Sequence, residues 1–188
     1  MLREIVIWPD PVLKEVVPPV DRVDDSVRRL LDDMAETMYA ADGVGLAAPQ
    51  IAERKRLIVI DTSPRQEGQK LIYLVNPEIV KYEGKTTYTE GCLSIPGEAE
   101  DVERAAKVWV RALDYFGKPF ELEADGLLAI ACQHENDHLN GTLFVDHLSS
   151  LKREIIKKRM KKLKAERAAE AAAQVRAASK QGNVQKVL

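Results

Sequence analysis

Asp125-Gly126-Leu127-Leu128-Ala129-Ile130-Ala131-Cys132-Gln133-His134-Glu135-Asn136-Asp137-His138-Leu139 is the stretch that decides the fold. It reads as a helix from Asp125 to about Leu139, with Gly141 just past its end. The H-E-x-x-H within it sets His134 and His138 one turn apart, about 40° around the axis at 3.6 residues per turn. Both imidazoles can meet one metal ion, and Glu135 can reach a water bound to that ion. The motif uses two of only three histidines in the chain. Cys132 falls about 160° from His134 around the helix and reads as a buried thiol. Leu127, Ile130 and Ala131 share the ligand face upstream and would wall a pocket for an unbranched apolar side chain.

Two histidines do not complete a catalytic metal site, which usually has three protein ligands plus water. A third histidine six residues after His138 would fall at position 144, which is Phe144. A glutamate some twenty residues on would fall in Lys157-Lys158-Arg159. Glu154 is near but sits in a basic helix. The third ligand therefore comes from elsewhere. Cys92 is the best remaining candidate, with His147 a weaker one in a helix-start loop.

Working outward, Asp24 or Asp25 can cap a helix carrying Val27, Leu30, Leu31, Met34, Ala35 and Met38 at helical spacing, ending near Asp42-Gly43. Short strand-like runs follow at Leu57–Asp61, Leu71–Val75, Thr86–Thr89, Lys107–Leu113 and Pro119–Leu122. Turn formers separate them at Ser63-Pro64, Asn76-Pro77, Glu83-Gly84, Pro96-Gly97 and Gly117-Lys118. A last helix begins after Asp146–Ser150 and runs into the tail, where Ala165–Ala178 holds eight alanines in fourteen positions and is expected to fray at its far end. This order lacks βαβ alternation. It predicts an α+β fold, with antiparallel sheets packed around the metal-binding helix, plus an N-terminal and a long C-terminal helix. Residues 1–150 form the expected catalytic domain, and residues 151–188 a basic helix and tail extending it.

The chain has 188 residues, enough to bury a core without disulfides. The longest apolar run, Leu127–Cys132, is far short of the roughly 18 residues of a membrane span. An acidic residue at Glu4 and no apolar region after it argue against a signal peptide. The two cysteines are expected to be reduced, in a cytoplasmic chain. The net charge of −2 hides an asymmetry. Residues 151–188 hold twelve Lys and Arg against three Glu, so the rest of the chain is acidic.

Three motifs stand in order: Gly43-Val44-Gly45-Leu46-Ala47-Ala48-Pro49-Gln50, then Glu90-Gly91-Cys92-Leu93-Ser94, then Gln133 to Gly141 around H-E-x-x-H. Together they resemble the peptide deformylases over roughly residues 1–165, of the bacterial type with a long C-terminal helix. The resemblance implies removal of the formyl group from the formyl-methionine that starts new polypeptides. It implies Cys92, His134 and His138 as metal ligands. Fe²⁺ would be the native ion and Zn²⁺, Ni²⁺ or Co²⁺ its substitutes. It implies Glu135 as general base and acid, and the Leu93 backbone N–H and Gln50 side chain as oxyanion donors. It implies Val44, Gly45 and Gly91 along the substrate backbone, and Leu127, Ile130 and Ala131 around the methionine side chain. Asp137, Glu90 and Arg104 could orient the ligands from behind.

The mechanism so implied has the ion lower the pKa of a bound water from 15.7 towards about 7. The resulting hydroxide attacks the formyl carbon, with Glu135 passing the proton to the leaving amine. One position departs from the family: Ala99, seven after Cys92, replaces an arginine or aromatic residue, so a contact to the substrate's backbone or second residue is expected to be missing. Lys152–Lys164 has eight basic residues and one acidic one. It reads as a basic amphipathic helix that could dock on the ribosome near the exit tunnel, the chain being a monomer with no membrane contact. On that reading, deleting Lys152–Leu188 would leave peptide hydrolysis largely intact, provided that the body still folds. Two rivals stand: an H-E-x-x-H endopeptidase, which lacks the usual third ligand, and a non-enzymatic ribosome-binding module with a structural metal, which leaves Glu135 unexplained.

Overall fold

A computed structural model of the chain describes residues 1–64 and 70–184, with side chains in the last helix to residue 173. Helix α1 spans Asp25–Ala40. Asp24 caps it by accepting from the backbone N–H groups of Ser26 and Val27. The expected apolar stripe, Val27 to Met38, is buried. Seven strands follow: β1 Gly45–Ala47, β2 Leu57–Ile60, β3 Ile72–Glu83, β4 Thr86–Cys92, β5 Ile95–Arg104, β6 Lys107–Leu113 and β7 Pro119–Asp125. Helix α2 is Gly126–Leu139 and helix α3 is Ser150–Val184, so the helix continues past the alanine-rich segment. All strand pairs are antiparallel. They form a five-stranded sheet in the order β1-β2-β3-β6-β7 and a separate ribbon β4-β5.

The sequence pattern explains the layering. Leu57-Ile58-Val59-Ile60 is apolar throughout because β2 is buried on both faces. Ile58 and Ile60 join Leu74, Val108 and Val110 under α2. Leu57 and Val59 join Met34 and Met38 of α1 on the other face. Strand β6 alternates instead, with Val108, Val110 and Ala112 inward and Lys107, Trp109 and Arg111 on the outer face. A third cluster binds the N-terminal segment (Trp8, Leu13) to Ile95 of β5, Phe144, and Ile156 and Met160 of α3.

Two expected turns are not turns. Asn76-Pro77 lies inside β3, where it makes a register shift between Val75 and Glu78. Asn76 takes a positive φ of 51°, and its side chain bonds the backbone of Val20 in both directions, at 2.9 and 2.8 Å. Pro96-Gly97 lies inside β5, a strand that the acidic run Glu98–Glu103 conceals. Cys92 pairs with Ile95, so the reversal falls at Leu93-Ser94, and Pro96 to Glu98 form a bulge. Strands β4 and β7 likewise outrun their expected ends, reaching Cys92 and Asp125.

The charge asymmetry is partly an internal feature. Lys152 of α3 reaches Glu100 at 2.6 Å, Arg159 reaches Glu98 at 2.9 Å, and Lys164 reaches Asp10 at 2.9 Å. With Ile156 and Met160 inserted in the core, α3 is seated on the body through residue 164. Removing Lys152–Leu188 would open that core, so the condition that the body still folds without the tail is a demanding one. No helix among the described residues is long and apolar enough to cross a membrane.

Gly141 ends α2 with φ +67°, and a side chain there would collide with the backbone of Lys14, the carbonyl carbon being 2.7 Å from a Cβ. Gly141→Ala is expected to destabilise the fold by about 2–4 kcal/mol. Thermal unfolding should register this as a fall in Tm of roughly 2–4 °C per kcal/mol. An unchanged Tm would mean that the Lys14 segment yields without cost.

Candidate metal centre

Helix α2 carries Gln133, His134, Glu135 and His138 into the interior, where all four are buried. Burying so many polar groups requires a partner for each. Gln133 docks the helix on the β5–β6 junction: its Oε1 accepts from the Ala105 N–H at 2.9 Å, and its Nε2 donates to the carbonyls of Ala105 and Ala129 at 3.0 and 2.9 Å. Spacing alone does not single out this anchor, although Gln133 directly precedes His134.

The ribbon β4-β5 delivers Cys92. Its Sγ is 3.3 Å from His138 Nε2, and the ligand atoms of Cys92, His134 and His138 all lie within 4.8 Å of one another. Tetrahedral bonds of about 2.3 Å to sulfur and 2.0–2.1 Å to nitrogen put a sulfur and a nitrogen ligand roughly 3.5 Å apart. The three donors therefore fit one ion, and they form the one such cluster among the described residues. His147, the alternative third ligand, is elsewhere: its Nε2 is 2.8 Å from Asp137 Oδ2. Phe144, standing where longer metalloprotease patterns place a histidine, stacks on His134 with centroids 6.4 Å apart.

Behind the ligands, Glu90 is buried between two donors. Arg104 gives it Nε at 2.7 Å and Nη2 at 2.9 Å, and His134 Nδ1 lies 2.9 Å from its Oε2. That contact leaves the other ring nitrogen of His134 for an ion. Arg104 also donates Nη1 to Asp137 at 2.6 Å, so of the three candidate orienting residues only Glu90 touches a ligand. Burial works against a charged His134, but its hydrogen bonds to Cys92 and Glu90 outweigh it and hold the imidazole well above its ordinary pKa. Burial and the nearby positive His134 hold His138 well below its own. Binding a metal ion there would require His134 to release that proton.

Glu135 is buried, and its Oε2 has no hydrogen-bond partner among the described residues. Burial pushes its carboxyl up to about 7, a value that the charge of a bound dication would pull down. Gly45 leaves room for it, since a Cβ there would collide with the Glu135 carboxylate. Gln50 is also buried. Its Oε1 accepts from Ala47 N–H at 2.8 Å, which fixes the amide so that Nε2 faces Cys92 Sγ at 3.6 Å and Ser94 Oγ at 3.3 Å. Ser94, wholly buried, carries no role in the sequence reading, although it is two residues from Cys92 in the same motif.

Gln50, Cys92, His134 and Glu135 face a cavity of about 490 Å³. Val44, Gly45, Gly91 and Leu93 line it, as do Leu127, Ile130 and Ala131. Every residue expected from the sequence to contact substrate is thus brought to one cavity. Tyr88 and Glu98, which the sequence does not mark, line it too. Cys132 is buried under the sheet, and burial pushes its thiol up to about 12. Ala99 is exposed on β5 opposite Gly91.

Comparison with known proteins places the chain among relatives of one kind. The family model described as polypeptide deformylase matches residues 2–154. A peptide deformylase of Alkalilimnicola ehrlichii is 54% identical over 162 residues, 86% of this chain and 90% of that protein. The crystal structure of a peptide deformylase from Legionella pneumophila superposes with a TM-score of 0.83 at 49% identity, covering 89% of this chain and 98% of that one. A peptide deformylase from Ehrlichia chaffeensis, solved in complex with actinonin, gives a TM-score of 0.82 at 40% identity over 86% of this chain and 96% of that one.

Glu90→Gln should weaken retention of a divalent metal by about 10- to 100-fold, the usual effect of losing a partner that orients a ligand histidine. Metal content after dialysis against a chelator measures it. Retention equal to the parent protein would show that Glu90 holds Arg104 alone.

Proposed function

The chain belongs to the peptide deformylase family, and from that premise we propose how its own residues carry out the reaction. It is a metal-dependent hydrolase that removes the formyl group from the N-terminal formyl-methionine of newly made polypeptides. One observation carries the assignment of roles: an unpartnered, buried carboxylate oxygen, Glu135 Oε2, sits beside three converging ligand atoms and an apolar pocket.

Cys92, His134 and His138 would hold a divalent metal, which would supply Lewis acidity and lower the pKa of water at the site from 15.7 towards about 7. Glu135 accepts the proton of the attacking water and returns it to the leaving amine nitrogen. The Gln50 amide, fixed by Ala47, and the backbone N–H of Leu93 donate to the formyl oxygen as it gains charge. Leu127, Ile130 and Ala131 receive the methionine side chain. Val44, Gly45 and Gly91 run along the peptide backbone, close approach being possible where a glycine has no side chain. Ala99 carries no long side chain towards the cavity, so a contact to the peptide's backbone or second residue is lost.

Fe²⁺ is the resident ion in this reading, with Zn²⁺, Ni²⁺ and Co²⁺ able to replace it. The Cys92 thiolate beside a ferrous ion would make the site sensitive to oxygen. The working protein is a cytoplasmic monomer in which residues 1–150 and the basic extension 151–188 form one catalytic unit. The outer face of α3 meets the ribosome near the exit tunnel. Support for that contact comes from Lys158 and Lys161, which are exposed and enter no ion pair among the described residues, unlike Lys152 and Arg159.

Formate release from formyl-Met-Ala-Ser by anaerobically purified Fe²⁺ protein tests the reading. Glu135→Ala should cut the rate by about 100- to 10,000-fold while the metal stays bound. Gly45→Ala, which displaces Glu135, should also fall sharply in kcat. No release from parent protein holding one metal per chain would sink the assignment. For the docking surface, Lys158→Glu with Lys161→Glu should abolish salt-sensitive ribosome co-sedimentation and leave formate release unchanged. Undiminished co-sedimentation would rule that surface out.

A further inference from the structure

We propose that His147 is a positioning residue for the metal centre, acting on His134 through Asp137, Arg104 and Glu90. The proposal rests on the reading of Cys92, His134 and His138 as metal ligands.

His147 is the one histidine that the ligand set leaves without a role. Its side chain is 37% exposed, and its Nε2 lies 2.8 Å from Asp137 Oδ2. That same oxygen accepts from Arg104 Nη1 at 2.6 Å. The far side of the Arg104 guanidinium holds both oxygens of Glu90, at 2.7 and 2.9 Å. Glu90 in turn meets His134 Nδ1 at 2.9 Å. An unbroken line of charge-assisted hydrogen bonds therefore runs from the protein surface to a metal ligand. Every member between its ends is an ion, and Arg104 and Glu90 are buried, which makes their misplacement costly.

A second cavity, of about 350 Å³, lies along this line on another face of α2, bordered by Arg104, Gln133, Asn136, Asp137 and His147. Asp137 sits at its wall. His147 supplies one of the two donors on Asp137 Oδ2. Without it, water in the cavity would compete with Arg104 for that oxygen, and the guanidinium would lose its fixed outer end. Glu90 would then be free to shift, and the His134 ring with it.

An independent contact supports the assignment. His147 ends the short turn Phe144–His147, and Phe144 at the start of that turn stacks on His134. One turn thus holds His134 twice: by ring packing from Phe144, and through the polar line that ends at Nδ1.

The test uses Co²⁺ as probe, because its visible absorption reports ligand geometry and its loss to EDTA reports retention. His147→Ala is expected to release Co²⁺ about 3- to 10-fold faster than the parent, less than the effect of the residue touching the ligand, and to shift the absorption band. His147→Gln, whose amide can donate to Asp137, is expected to restore both. A lowered Tm with unchanged Co²⁺ release and band would mean a structural role only and would overturn the proposal. So would a glutamine variant no better than alanine. Failure of the parent protein to bind Co²⁺ at all would overturn the metal reading along with it, and is distinguishable for that reason.

Discussion

The carboxylate of Glu90, shared between the Arg104 guanidinium and the His134 imidazole, ties together three elements that are distant in sequence. Glu90 is on β4, Arg104 ends β5 and His134 is on α2. The groups are buried, so each is stable only while the others are in place. Breaking such a pair typically costs about 3–5 kcal/mol because a charge is left without a partner. This requirement pins the β4-β5 ribbon to α2. Cys92 is two residues beyond Glu90 on the same strand, and its approach to His138 follows from that pinning. Burial also drives the cluster together, since exclusion of water strengthens each bond within it.

Helix α2 solves a related problem. It passes through the interior with apolar residues in its first half and polar ones in its second. The apolar half, including Ala129, Ala131 and Cys132, is core against the sheet. In the polar half, Gln133 is satisfied by backbone groups and His134 by Glu90. Glu135 Oε2 and His138 Nδ1 are left without a partner among the described residues. The functional end of the helix is where local satisfaction is incomplete, which is a common mark of a site that completes itself with ligand or ion.

The long basic helix shows how composition can mislead about where charge is used. An acidic body and a basic tail suggest an external partner. Part of that opposition is spent within the molecule, where Glu98 and Glu100 of β5 meet Arg159 and Lys152 of α3. Individually such exposed pairs contribute little. Burying Ile156 and Met160 beside Phe144 stabilises the helix's seat more than those pairs do. It makes α3 part of the body and puts the turn that packs against His134 under its cover.

Much of the site could be read from spacing. Helical periodicity is a local property of the chain, so the pairing of His134 with His138, the exclusion of Cys132 and the upstream wall of Ile130 and Ala131 all follow from 3.6 residues per turn. Alternation likewise placed β6 and the all-apolar run placed β2. Strand β5 was hidden because its face towards solvent and α3 is acidic, and strand formation there depends on a partner ribbon and on basic residues some sixty positions away. The bulges at Asn76-Pro77 and Pro96-Gly97 carry the residues of turns, and only the neighbouring strand decides that the chain passes on instead of reversing. By itself the sequence determined the helices, the H-E-x-x-H ligand pair and, through its three ordered motifs, the family. Tertiary structure alone brought Cys92, and not His147, beside the histidine pair, put Glu90, and not Asp137, against His134, and seated α3 on the body through residue 164. Contacts between residues far apart in the chain depend on burial and pairing across elements, which no local period encodes.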